Sequence, residues 1–420
     1  MRRVLCLLVL VVSTGGAAFG QPVGPTSEPP GRTFFVRQAS GDDRSDGTSP
    51  ETAWRSVGRL SAALEAGDTA YVGPGLYRDQ IVLRHGGAPD RRIRILADAA
   101  GVYTHDRPGV VMLTGAEPVD ERVFEPHGSR GVYKALFSDF VPVGVVEMDG
   151  PQLRYMRARS TREHLVDGLS ELEVVAASPS TYFQDAEAGV FYLHTSDGAA
   201  PTRHELELIQ RGAGITVAHQ DFVTIFGFTI RHTGDAGILF SDGSRHGIAI
   251  DNVSYGHRIG IRVNGATHVV ISGNVLFRNE NSGVYFLRDA IGGLALDNVL
   301  YENVKGVRFG SRSNQGRAIG NLVFRNREAG ISVEDSLGIQ LMNNRMVRNG
   351  ETQLLLWKSR QHQSEGNCFE VSPGGPLTAR RDQSRYPDLP TFQQATGQDL
   401  GSRSGDCGSL PEVLDVRGPR

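Results

Sequence analysis

The chain has 420 residues, 44 of them basic and 47 acidic, for a formal charge of −3. That near balance excludes a surface field able to gather nucleic acid or an anionic membrane. Its 52 glycines argue against a helical enzyme, because glycine in a helix interior costs about 1 kcal/mol.

Arg2 and Arg3 precede an apolar run from Val4 to Val12, and Ala18-Phe19-Gly20 places small residues before Gln21. Such a run is too short to cross a bilayer, which takes roughly 20 residues. Residues 1–20 therefore read as a signal peptide cleaved after Gly20, and the protein is expected to be secreted or periplasmic with no membrane span. Residues 21–32 read as a linker. Residues 33–100 read as an N-terminal cap with a first coil. Within them Val57, Leu60 and Leu64 have helical spacing, which suits a short helix covering the open end of a solenoid. Residues 101–213 carry aromatic-rich strands with longer loops and read as early coils with insertions.

From 214 to 370 the chain repeats. Asn252, Asn274, Asn298, Asn321, Asn344 and Asn367 recur about every 23 residues. Five residues after the first five of these stand His257, Asn279, Asn303, Asn326 and Asn349. Gly214, Gly237, Gly260, Gly283, Gly306 and Gly330 keep the same step. Short alternating stretches such as Val284 and Phe286 mark half-buried strands, with glycine and asparagine at the corners. The pattern is an all-β solenoid of about 23 residues per coil, rising about 4.8 Å each time. Stacked asparagine amides would hydrogen-bond along its axis, since buried polar groups must be paired. Residues 371–420 read as an irregular tail laid over the last coil. Export would leave Cys368 and Cys407, which their number and an oxidising destination favour as one bridge, two free thiols being the alternative.

The segment GTSPETAWRSVGRLSAALEAGDTAYVGPGLYRDQIVL, Gly47 to Leu83, resembles the entry module of secreted β-helix proteins of the pectate-lyase-like superfamily. The asparagine and glycine columns resemble their coils, and LPTFQQATGQDLGS, Leu389 to Ser402, resembles a tail that follows such helices. The resemblance implies a right-handed parallel β-helix and an enzyme of the polysaccharide lyase, uronate epimerase or β-helix glycosidase type. It implies no particular catalytic residue, because one scaffold hosts several chemistries.

Chemistry is therefore sought by register. If each column glycine opens a strand, the second residue after it points outward, giving Leu239, Arg262, Tyr285, Arg308, Ser332 and Leu355. A further outward column reads Ser241, Asn264, Leu287, Gly310, Glu334 and Trp357, and the next turn adds Asp242, Arg288, Asp289, Arg312, Asp335 and Lys358. Arg262, Tyr285 and Arg308 should stack about 5 Å apart. Two guanidinium groups flanking a phenol suit uronate chemistry, one neutralising the sugar carboxylate while Tyr285 or Lys305 takes the C5 proton. The expected catalytic set is Tyr285, Arg262, Arg308 and Lys305. The expected substrate-binding set is Asn264, Arg288, Arg312, Glu334 and Trp357. A solvated sheet face with arginines among aromatics is the plain alternative.

The leading expectation is an extracytoplasmic lyase acting by β-elimination on an acidic, uronate-containing polysaccharide. The first alternative is an inverting β-helix glycoside hydrolase, with Asp289 and Asp335 two coils apart, roughly 9–10 Å. The second is a non-catalytic polysaccharide-binding or envelope scaffold protein. No cofactor is required by the sequence. Turn acids could take Ca2+, although no DxDxDG-type loop is present. A monomer is expected, with an acidic polysaccharide as partner.

Overall fold

The structure is a computed structural model, which describes residues 31–128, 131–137, 142–148, 154–155, 170–185, 187–372, 375 and 377–413. The expected signal peptide and most of the linker lie outside the described residues.

Alternating apolar residues and tight corners wind the chain into a right-handed parallel β-helix whose wall is three ten-stranded sheets. Sheet 1 holds Val223–Phe226, Ile248–Ile250, Val270–Ser272 and their successors. Sheet 2 holds Thr229–Arg231, Val253–Tyr255, Val275–Phe277 and theirs. Sheet 3 holds Ala213–Ala218, Ala236–Ser241, Ile259–Asn264, Ser282–Leu287, Lys305–Phe309, Ala329–Glu334, Thr352–Trp357 and Leu377–Arg381. Each strand pairs in parallel with its counterpart one coil on, so like positions stack. The inward column Ile238, Ile261, Val284, Val307, Ile331 and Leu354 is fully buried.

Polar corners are paired along the axis. In the turn from sheet 1 to sheet 2, Asn298 donates from its backbone N–H and its side-chain amide to Asn321 Oδ1, at 3.0 and 2.9 Å, and Asn274 does the same to Asn298. The column runs from Asn252 to Asn367 and ends on Asp399, whose Oδ1 accepts from Asn367 at 2.9 Å. A second column at the turn from sheet 2 to sheet 3 runs Asn279, Asn303, Asn326, Asn349. His257 starts it, its Nδ1 accepting from Thr233 N–H at 3.0 Å, which leaves Nε2 to donate to Ile230 O. Gln353 Oε1 finishes it at 2.7 Å from Asn349 Nδ2. The glycine column leaves room at this corner: a Cβ on Gly306 would overlap Val323 Cγ1 and sit 2.6 Å from Gly330 O, with Asn326 Nδ2 at 3.2 Å. Where Gln353 takes over from glycine, its own side chain fills that space.

The ends are closed differently. Val57–Arg59 and Leu60–Ala63 form a short helical turn that buries Val57, Leu60 and Leu64 at the N-terminal end. The helix Leu389–Thr396 buries Leu389 and Phe392 at the other end. Cys368 and Cys407 are bonded, with Cα atoms 5.7 Å apart. Leu410 and Val413 pack beyond them on the outward aromatic column Tyr255, Phe277, Tyr301 and Phe324 of sheet 2.

Residues 116–209 lie within the stretch 101–213 that reads as early coils with insertions. Val111–Thr114 belongs to sheet 2 and Ala213–Ala218 to sheet 3, so the intervening stretch branches from a single corner. Its strands pair mostly antiparallel in two separate sheets and enclose their own core of Phe124, Val145, Tyr182, Phe191, Leu193 and Leu208. Arg78 ties it to the coil beneath through Glu207 at 2.5 Å.

Candidate functional site

The outer face of sheet 3 carries the candidate side chains. Alternation sends Ile261 and Val263 inward and Arg262 and Asn264 outward, and each following strand repeats the pattern. Strand pairing brings Leu239, Arg262, Tyr285, Arg308, Ser332, Leu355 and Arg380 into one register across the face. Lys305 lies one column over, in register with Ser282 and Ala329.

Each cation of the expected catalytic set has a carboxylate. Arg262 Nη1 donates to both oxygens of Asp235, at 2.7 and 2.6 Å. Arg308 Nη2 donates to Glu334 Oε2 at 2.6 Å, and Lys305 Nζ donates to Glu334 Oε1 at 2.9 Å. Lys305 also meets Glu328 Oε2 at 3.3 Å. Burial pushes the Glu334 carboxyl upward, but Lys305 and Arg308 outweigh it and hold the group below the usual range. Tyr285 is 8% exposed and packs with Ile259 and Leu287. The Arg308 guanidinium lies 4.4 Å over its ring, a cation–π contact on the face rather than a hydrogen bond to the phenol. Tyr285 leans toward the next coil, where a Cβ on Gly310 would meet its hydroxyl at 3.2 Å.

The expected substrate-binding residues divide into two groups. Asn264 and Glu334 lie on the face itself, and Trp357 stands in register beside Glu334 at the strand end. Arg288 and Arg312 sit on the exposed rim at positive φ, 51° and 64°. Arg312 forks onto Asp289 at 2.8 and 2.9 Å and holds that exposed carboxyl below the usual range. Asp289 is therefore half of a rim ion pair. Asp335 occupies a turn at φ 48°.

Register reasoning missed Asp235, Glu328 and Asn281. Arg262 and Arg308 reach diagonally to Asp235 and Asn281, each 27 residues away, and Lys305 reaches Glu328, 23 residues away and one position off its own column. The signal available was their acidic or amide type at the corner preceding each sheet 3 strand. Arg262 Nε, Arg308 Nε, Asn264 Oδ1 and Ser332 Oγ are buried without a hydrogen-bond partner among the described residues. Among those residues no three His, Cys, Asp or Glu side chains converge on a position able to hold a metal ion.

Residues 213–369 match the family described as the right handed beta helix region. No curated protein matches the chain by sequence. Among solved structures, a rhamnogalacturonan lyase aligns at 12% identity and a TM-score of 0.50, covering 92% of this chain and 90% of its own. The pectate lyase Pel9A aligns at 11% identity and a TM-score of 0.46, covering 85% and 80%. A lacto-N-biosidase from Eubacterium ramulus aligns at 8% identity and a TM-score of 0.43, covering 90% and 67%. At such identities the likeness is one of fold.

Proposed function

We propose that the outer face of sheet 3 binds an acidic, uronate-containing polysaccharide and cleaves it by β-elimination. The observation that carries this reading is the register of Arg262, Tyr285 and Arg308 on three successive strands, with Lys305 beside them. Stacked guanidinium groups match carboxylates spaced along a polymer. Arg262 gives Asp235 one nitrogen and Arg308 gives Glu334 one, so N–H groups remain for an arriving carboxylate. Pairing with arginine withdraws charge from the sugar carboxylate and makes C5–H more acidic. The Tyr285 oxygen, entering as the phenolate, takes that proton and becomes the phenol as the C4–O4 bond breaks and the C4–C5 double bond forms. Lys305, an ammonium with three donors and no acceptor, supplies the proton to O4. Asp235 and Glu334 orient the two arginines.

Export fits the same reading. The apolar run Val4–Val12 and the Cys368–Cys407 bridge suit an oxidising compartment outside the cytoplasm.

A second reading has its own observation. Glu328 and Glu334 both reach Lys305 Nζ, and a glycosidase needs two carboxylates across one sugar linkage. Incubation with a panel of uronate polymers separates the two. Growth of ultraviolet absorbance from the unsaturated product supports elimination. New reducing ends without that absorbance support hydrolysis, and neither signal from any polymer overturns both.

A further inference from the structure

Beyond the candidate centre, the same face continues into a groove of about 380 Å³. Glu328, Thr352, Leu355, Leu377, Arg380 and Arg385 line it. Glu328 belongs to both places, since it also reaches Lys305. The far wall is the hairpin of Leu377–Arg381 and Ser384–Tyr386, the first strand of which is the last parallel strand of sheet 3.

That hairpin sets Arg380 directly opposite Arg385. Two like charges facing each other across a strand pair destabilise it. Arg262, Arg308 and Arg312 each hold a carboxylate. Neither Arg380 nor Arg385 forms an ion pair among the described residues, and Arg380 Nε turns to a backbone carbonyl, Asp382 O, at 3.3 Å. Glu328 and Glu351 also line the groove. A ligand carrying both an anionic group and hydroxyls suits such a groove, the anion on the arginines and the hydroxyls on the carboxylates.

We propose that Arg380 and Arg385 form a distal subsite for a carboxylate or sulfate on the acidic polymer. Arg380 stands three strands beyond Arg308 in one register, roughly 14 Å along the axis. A chain bound at the centre therefore reaches the arginines only if it extends several sugars past the point of reaction. The subsite selects long acidic chains over short ones. This inference rests on the acidic-polysaccharide reading above.

The test compares binding of polygalacturonate and alginate, as polymers and as disaccharides, with an uncharged glucan as control. Wild type, Arg380→Ala/Arg385→Ala and Arg380→Lys/Arg385→Lys are measured at low and raised salt, with circular dichroism confirming the fold. The alanine pair should bind an acidic polymer at least about tenfold more weakly than wild type. The lysine pair should retain most of the affinity, raised salt should narrow the gap, and disaccharide binding should be alike in all three. Polymer binding by the alanine pair equal to wild type would overturn the subsite and leave the arginines as protection for a sheet edge. Loss in both variants alike would overturn it too, as a structural role. Failure of wild type to bind any acidic polymer would instead remove the reading on which it rests.

Discussion

Asn298 and Phe191 are both fully buried, yet they depend on different parts of the chain. Asn298 is bonded to Asn274 in the coil before it and Asn321 in the coil after it, and donates to Ile271 O. Phe191 stacks on Tyr182 at 5.1 Å and meets Phe137 edge-on at 6.2 Å, all within the antiparallel branch. In the solenoid, each inner rung of an asparagine column is satisfied by an identical group one coil away, so damage should travel along the axis. In the branch, strands satisfy one another within the branch, so damage should stay there.

The largest expected effect breaks the branch alone. Phe191→Ala should cost about 3–5 kcal/mol of its local stability, read as faster hydrogen exchange across residues 116–209. Unchanged exchange in the sheet 3 strands from 259 to 356 is the expected accompaniment. Faster exchange there would mean the two regions share one cooperative unit.

Reduction of the Cys368–Cys407 bridge should come next, at about 2–4 kcal/mol. It should loosen the last coil and the 389–396 helix before the central coils, since the bond restrains only the end. Equal loosening throughout would argue against terminal restraint.

Asn298→Leu should then cost about 1–3 kcal/mol, because neighbouring amides lose partners in a buried turn. Exchange should quicken around Asn274 and Asn321 as well as at the substituted coil. Arg348→Ala, which removes only a surface pair with Glu370, should stay within about 1 kcal/mol. Equal melting shifts for the two would contradict the ladder.

The smallest effect at neutral pH is expected for His257→Asn, which makes the first rung like the others. Burial lowers the His257 pKa to about 3. The unfolded chain, with histidine near 6.5, therefore binds the extra proton first, and stability falls as pH drops from about 6.5 toward 3. His232 is shifted in the same direction by burial. Asparagine at 257 should reduce this acid sensitivity while leaving the melting point near pH 8 almost unchanged. Identical acid profiles for wild type and variant would show that His257 is not buried as a neutral rung.

The coils were legible because their constraint is periodic. An asparagine that must bond the next asparagine, and a glycine that must clear the core side chains and the carbonyl of the next coil, each recur at the coil length and leave columns in the sequence. The branch was not legible as a separate unit, since antiparallel strands alternate only locally. Its strands Val132–Leu136, Thr181–Asp185 and Val190–His194 pair antiparallel at separations of no fixed period. The candidate site was half legible. Register placed Arg262, Tyr285 and Arg308 together, but the flexible arms of arginine and lysine reach Asp235, Glu328 and Glu334 off the column. The carboxylates that orient the cations were therefore missed or, for Glu334, assigned to substrate.

The most direct test of the proposed chemistry is turnover of a uronate polymer, followed as unsaturated product, by wild type and Tyr285→Phe at matched fold and polymer affinity. The account predicts that the variant loses at least about a hundredfold in turnover, since only the proton-carrying oxygen is removed. Full turnover by Tyr285→Phe would contradict the assigned base, and full turnover by Lys305→Ala in the same assay would remove this face as the catalytic centre.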